Sequence, residues 1–339
     1  MQVGVYCPNM HHGIGLEAFL GRPFPPGLAI SRETMAAVAD LAEEKGFDSL
    51  WFGDHVIFPP RTASPHASSG HLDGADIRVG EPVFDPLAVM GWLGARTQRV
   101  RLGFSVLVIP YRNPVVIAKF LASLDVLTGG RIIVGTGVGM MEEEFEAVGA
   151  SFKDRGAVTD EYLELMRVLW TSDEPSFQGK HYQLKPGMRF LPKPVRGTIP
   201  LWIGGTTKFA IRRAARLGDG WLAVYQTHTD LAQKWEELQQ LTIAEGRDPS
   251  DVTLAHQTRF FINNEHYPAA PPGVGSVAKV VDDLARMADI GVQHLELAMP
   301  PGPTTEAILE QMHHFVEDVR PQLPASALTG SALSGSEAL

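Results

Sequence analysis

The 339-residue chain alternates short apolar, β-branched runs with amphipathic helical stretches from end to end, and this rhythm limits the fold more than any other feature. Residues 2–6 (QVGVY) read as a first strand. In the next helix, SRETMAAVADLAEEKG, Ser31 stands as N-cap, Met35, Val38, Ala39 and Leu41 share a face, and Gly46 is the stop. SLWF and RLGFSVLV (101–108) are strands two and three, PVVIAKFLASLDVLTGG a helix that opens on proline and closes on glycines, and RIIVGTG strand four. A long helix runs from after Asp154 to about Trp170. LWIGG, GWLAVY, VTLAHQTRFFI and HLELAM supply strands five to eight, each trailed by an amphipathic helix.

Strands this apolar have no face for water, so eight strand and helix pairs predict an α/β fold of the (β/α)8 TIM-barrel type. A doubly wound open sheet is the runner-up, but it normally carries a GxGxxG after strand one, and none is present. The barrel is expected to be one domain over 1–321, with insertions after strands 2 and 4. Residues 56–81, with His66 and His71, form the first and read as a lid or substrate wall. Residues 172–199 form the second, where SFQGKHYQL alternates as a hairpin. Residues 322–339, small and polar, read as a flexible tail.

A net charge of -10 without a Lys/Arg cluster argues against nucleic acid as partner. Cys7 is the only cysteine, which excludes an intrachain disulfide and metal sites built on several thiolates. The N-terminus lacks a signal-peptide pattern and no stretch reaches membrane-spanning length, so a cytoplasmic protein with no membrane partner is expected.

In such a barrel the residues just after each strand carry the chemistry. Asp54 and His55 stand there after strand two: an imidazole can change protonation near neutral pH and a neighbouring carboxylate can orient it, although a capped turn and a surface histidine fit the same letters. LWIGGTT places Gly204, Gly205, Thr206 and Thr207 before a helix, a pattern suited to phosphate and also to a tight turn. GTGVGMMEEEF (135–145) leaves room for a flat ring or makes a simple turn, and Glu142, Glu143 and Glu144 read as the acidic first turn of a helix rather than as metal ligands. The His11–His12 and His313–His314 pairs do not share a face, so no metal site is expected.

GFDSLWFGDHV, RLGFSVLVIPYRNPVVIAKFLASLDVLTGGRIIVGTG and IPLWIGGTTKFAIRRAARLGDGWL together resemble the bacterial luciferase-like monooxygenase superfamily over residues 1–321, and the DH corner with YRNP resembles its coenzyme F420 (deazaflavin) branch. The resemblance implies His55 and Asp54 at the reactive edge of the ring and a non-prolyl cis peptide at Ser105–Val106 behind it. It also implies Asn113 and Thr136 bonded to the ring or its ribityl chain, and Gly204, Gly205 and Thr206 around the phosphate. Sugar-phosphate dehydrogenases of the group carry a glutamate directly after GTG and an acid at the end of strand one; Val138 and Tyr6-Cys7-Pro8 stand here, which points to a less charged, more apolar substrate. The expectation is an F420-dependent oxidoreductase acting as a homodimer. The alternatives are an FMN-dependent monooxygenase fed by a flavin reductase and a non-catalytic flavin-binding barrel.

Overall fold

The structure, a computed structural model, describes residues 1–10, 30–58, 82–263, 270–299 and 304–328. His66 and His71 lie outside the described residues, as does most of the 56–81 insertion. The first half of the chain forms β1 (Gln2–Tyr6), α1 (Arg32–Lys45), β2 (Ser49–Phe52), α2 (Pro86–Arg96), β3 (Arg101–Phe104), β4 (Leu107–Val108), α3 (Pro114–Leu127), β5 (Ile132–Gly137), α4 (Glu142–Val148) and α5 (Arg155–Thr171). The second half forms β6 (Phe177–Gln178), β7 (Gln183–Leu184), β8 (Leu201–Gly204), α6 (Lys208–Leu217), β9 (Gly220–Val224), α7 (His228–Ala244), β10 (Thr253–Arg259), β11 (Phe261–Ile262), β12 (Val274–Gly275), α8 (Val277–Ile290), β13 (His294–Ala298), α9 (Thr305–His314) and α10 (Ala325–Leu328).

Eight strands, β1, β2, β3, β5, β8, β9, β10 and β13, pair in parallel, and the β3–β5 pairing closes them into a barrel; β4 continues the third strand beyond a break. The TIM-barrel reading therefore holds. Closure removes the sheet edges, and helices cover the outside. Ser31, Thr207, Thr227, Ser276 and Thr304 each accept a hydrogen bond from the backbone N–H three residues on, so one capping chemistry starts a helix on the way out of five different strand mouths.

Two tryptophans fill the barrel's lower interior. Trp51 and Trp202 stack at 5.4 Å between centroids with the His294 ring edge-on to both. Glycines on adjacent strands make the room: a Cβ on Gly103 would fall 2.4 Å from the Trp51 ring, and one on Gly220 2.5 Å from Trp202. Trp51 Nε1 donates to Ser49 Oγ, which also bonds His294 Nε2, so the buried polar atoms of this plug satisfy one another. Burial lowers the His294 pKa to about 3, so the ring is neutral.

Two boundaries differ from the sequence reading. The hairpin β6–β7 belongs to a segment that comes after α5, not after strand four, and therefore packs at the N-terminal end of the barrel: Lys193 Nζ donates to Leu169 and Ser172 carbonyls, and Val195 N–H to Asp125. The element directly after strand four is the short helix α4. The tail does not loosen at residue 322 either. Leu323 is buried and Ala325–Leu328 form a helical turn with Ala327 buried, because this stretch packs on the barrel; residues 329–339 are outside the described set. Among the described residues no helix is long and apolar enough to cross a membrane.

Candidate active site

Above the tryptophan plug, at the C-terminal ends of the strands, lies a cavity of about 1150 Å³. It is large enough for a cofactor-sized ring together with a second small molecule, since sites for one drug-sized ligand run to about 300–1,000 Å³. Met10, Val106, Val108, Val138, Phe152 and Phe209 give it apolar walls. No residue of 172–199 lines it, because that insertion sits at the other end of the barrel.

His55 lines the cavity, but its partner is not Asp54. Successive residues of an extended chain point to opposite sides, and the two side chains part as they leave β2. Asp54 takes both guanidinium nitrogens of Arg112, at 2.6 and 2.8 Å, and the Val108 N–H at 2.9 Å. Its carboxylate thus clamps the exit of strand three and is turned away from His55. Burial works against the Arg112 charge, yet the Asp54 hydrogen bonds more than offset it and raise the guanidinium pKa.

His55 Nδ1 is instead 2.8 Å from Glu144 Oε2, and that fully buried carboxylate also accepts from the Tyr111 hydroxyl at 2.9 Å and the Val56 N–H at 2.9 Å. Burial alone would raise the Glu144 pKa; the His55 hydrogen bond and charge, with Val56 and Tyr111, hold it below the usual range. Burial, then the neighbouring Glu144, pushes the Tyr111 phenol up, so it stays a protonated donor. An ionised carboxylate only accepts, so the Nδ1 proton belongs to His55 and Nε2 is left for the cavity. Phe58 packs on the imidazole at 4.7 Å and restricts its rotation.

Sequence reasoning placed Glu142 to Glu144 in the first turn of a helix, where they are, and missed that Glu144 turns inward. In that turn Phe145 and Glu144 share the buried side, and no local pattern marks the contact of Glu144 with a histidine 89 positions away.

The Ser105–Val106 peptide is cis, as the resemblance implied, and both residues border the cavity. Asn113 does not. It is exposed and its Oδ1 accepts from the Val115 and Val116 N–H groups, so an Asn followed by Pro at the first helical position acts as the N-cap of α3. Thr136 is also outside the wall: its hydroxyl donates to Trp202 O, because the two-residue period of β5 turns Ile133, Gly135 and Gly137 inward and Thr136 toward the helices.

Gly204, Gly205 and Thr206 do line the cavity, at the start of α6. Gly204 is needed beneath Val106, whose Cγ1 would lie 2.5 Å from an added Cβ. Gly205 takes φ 106 and gives its N–H to Leu222 O, so the amides open to an anion are those of the first turn of α6. The N-terminus of α5 points into the same region: Gly156 and Ala157 line the cavity, and Asp154 makes no side-chain cap there. Arg213, buried on α6, donates to Gly156 O and to Asp160 and so ties the two helix starts together. Arg155 lies over the Phe152 ring at 3.8 Å, and its Nε is buried with no hydrogen-bond partner. Two helix N-termini and the Arg155 guanidinium thus border this end of the cavity, a donor set suited to an anion, with Glu142, Glu143, Glu146 and Asp154 also on the wall. Among the described residues no group of three or more His, Cys, Asp or Glu could hold a metal ion.

A closed parallel barrel with this corner and this donor set defines a class, and comparison supplies the family. Residues 1–270 match the luciferase-like monooxygenase family, and the chain belongs to it. It is a family of flavin- and F420-dependent oxidoreductases and monooxygenases. An uncharacterized protein of Mycobacterium tuberculosis, Rv0953c, is 31% identical over 277 residues, 81% of this chain and 90% of that protein. F420-dependent glucose-6-phosphate dehydrogenase of Nocardia farcinica is 36% identical over 190 residues, 55% of this chain and 51% of the relative. Among solved structures, monooxygenase RslO1 from Streptomyces bottropensis superposes with a TM-score of 0.71 at 20% identity, covering 95% of this chain and 99% of that one.

Proposed function

We propose that this protein is an F420-dependent oxidoreductase that exchanges hydride with a small, rather apolar organic substrate. The observation that carries the reading is the cavity that joins a donor set suited to an anion at one end to a carboxylate-anchored imidazole at the other. The residues present fit a phosphate-bearing flavin-type cofactor: the first turns of α5 and α6 with Arg155 would hold its phosphate, and the Ser105–Val106 turn would support its ring. The deazaflavin, when bound, supplies hydride acceptance or donation at its ring. The chain supplies the proton chemistry. His55 Nε2 faces the cavity while Glu144 fixes the ring through Nδ1, so His55 can take a proton from a substrate hydroxyl or return one to a carbonyl. The apolar side chains Met10, Val106, Val108 and Val138 on the wall suit a substrate with an apolar body.

The preference for F420 over FMN rests on the Nocardia relative's sequence identity. Spectrophotometric turnover of F420 with a panel of small alcohols and enones tests it. Substrate-dependent change in the F420 spectrum, lost in His55→Ala, supports the reading; turnover only with reduced FMN and oxygen overturns it and makes a flavin reductase the required partner.

The chain's assembly is proposed as a homodimer. Val116, Phe120 and Leu127 lie along the outward side of α3, and Leu127 is 82% exposed, an apolar stripe that a second copy would cover.

A further inference from the structure

A buried acid on the cavity floor has no part in the proton chemistry of His55. Glu296, in the middle of β13, has no exposed surface and faces the barrel interior beside Gln257, its register partner on β10. Gln257 Nε2 is 2.5 Å from Glu296 Oε1 and 3.1 Å from Ser105 Oγ. Both amide protons are therefore spent on protein atoms, and Gln257, which lines the cavity, has only its carbonyl Oε1 left for a ligand. Ser105 also lines the cavity; its oxygen accepts from Gln257, and its own proton can turn to the cavity or to Glu296, whose ionised form it favours. Glu296 Oε2 has no hydrogen-bond partner.

We propose that Glu296 is a positioning residue that, in its neutral form, makes the floor present an acceptor, Gln257 Oε1, beside a donor, the Ser105 hydroxyl, and that this pair reads the N–H and C=O edge of a cyclic imide. Ionised, Glu296 draws the Ser105 proton to Oε2 and the floor becomes acceptor-only. The proposal rests on the reading of the cavity as a flavin or deazaflavin site, whose rings carry such an edge.

Burial raises the Glu296 pKa to about 8 against the opposing pull of Gln257 and Ser105, which puts the change within reach of experiment. The titratable groups that face it are Tyr6 from β1 and Tyr225 at the end of β9, both driven up by burial and so neutral over this range; Arg259 lies over the Tyr225 ring at 4.0 Å. Affinity needs the protonated acid, so it is full below about pH 7 and falls as pH rises through about 8. If the ionised floor does not bind, the loss by pH 9 is about tenfold.

The test is a fluorescence titration with the phosphate-free ring, 8-hydroxy-5-deazariboflavin, and its N3-methyl derivative, from pH 6.5 to 9, on the wild type, Glu296→Gln and Ser105→Ala. Glutamine reproduces the neutral acid's acceptor and donor, so Glu296→Gln is expected to keep the pH 6.5 affinity and lose the step that the wild type shows. Ser105→Ala is expected to bind at every pH as weakly as the wild type does at pH 9, and N3-methylation to weaken binding to the wild type at pH 6.5. Equal pH profiles in wild type and Glu296→Gln, or indifference to N3-methylation, would overturn the proposal and leave the cofactor reading standing. Failure of the wild type to bind the unmethylated ring at any pH would overturn the proposal, and failure to bind intact F420 as well would overturn both.

Discussion

At residue scale, the site is a set of long-range pairings. His55 meets Glu144 across 89 positions and Asp54 meets Arg112 across 58, so a local reading assigned Asp54 to His55 simply because it is adjacent. The position of the corner was legible, because a barrel brings the residues after each strand to its mouth; the partners were not, because contacts between distant segments leave no mark on local pattern. Truncation of His55 to alanine is expected to cut kcat by about 10²- to 10⁴-fold, the range for a lost general acid or base, with cofactor affinity nearly unchanged. Comparable losses in both quantities would assign His55 to binding instead. For Glu144→Gln, the amide nitrogen would face donors that now point at a carboxylate oxygen, and leaving a buried donor unpaired costs about 1–3 kcal/mol. Chemical denaturation of that variant should show a lower midpoint with an unchanged slope.

The secondary-structure elements were read from periodicity with few errors where sequence carries its own punctuation. Ser31 and Gly46 bound α1 where the capping pattern placed them, and the cap signal at Asn113 was equally plain, yet the resemblance drew that residue into the cofactor site. The hairpin β6–β7 was seen as a hairpin, but no local signal says which end of a barrel a segment after a helix will occupy; that depends on closure of the strands. The interior plug makes an element-level prediction. Gly103→Ala on β3 would push a methyl group into the Trp51 ring, and the overpacking is expected to cost about 1–3 kcal/mol. Thermal unfolding checks this, and an unchanged Tm would mean the two strands have more freedom to part than their register allows.

For the whole molecule, stability should peak near pH 6.5. His256 and His294 are buried and neutral, with pKa values lowered to about 3, so the unfolded chain binds more protons than the folded one between pH about 6.5 and 3, and stability falls on acidification. Glu144, held below the usual range, loses its contribution as pH drops further. Glu296 works in the other direction: folded, it keeps its proton to about pH 8, so its contribution declines as pH rises from about 4.5 to 8. Melting temperature against pH should show both arms, and the alkaline one should flatten in Glu296→Gln. The apolar stripe on α3 carries the assembly prediction. Leu127→Lys with Phe120→Glu should convert a dimer to a monomer in sedimentation velocity without a change in fold, and an unaltered sedimentation coefficient would place the contact elsewhere.

Everything proposed for His55 and for the first turns of α5 and α6 depends on the cavity between them being a deazaflavin site. Equilibrium fluorescence titration of the wild-type protein with oxidised F420 and, in parallel, with FMN decides this. Saturable binding of F420 at micromolar concentration or below, with weaker binding of FMN, is the expected result. Tighter binding of FMN, or no binding of either, would contradict it.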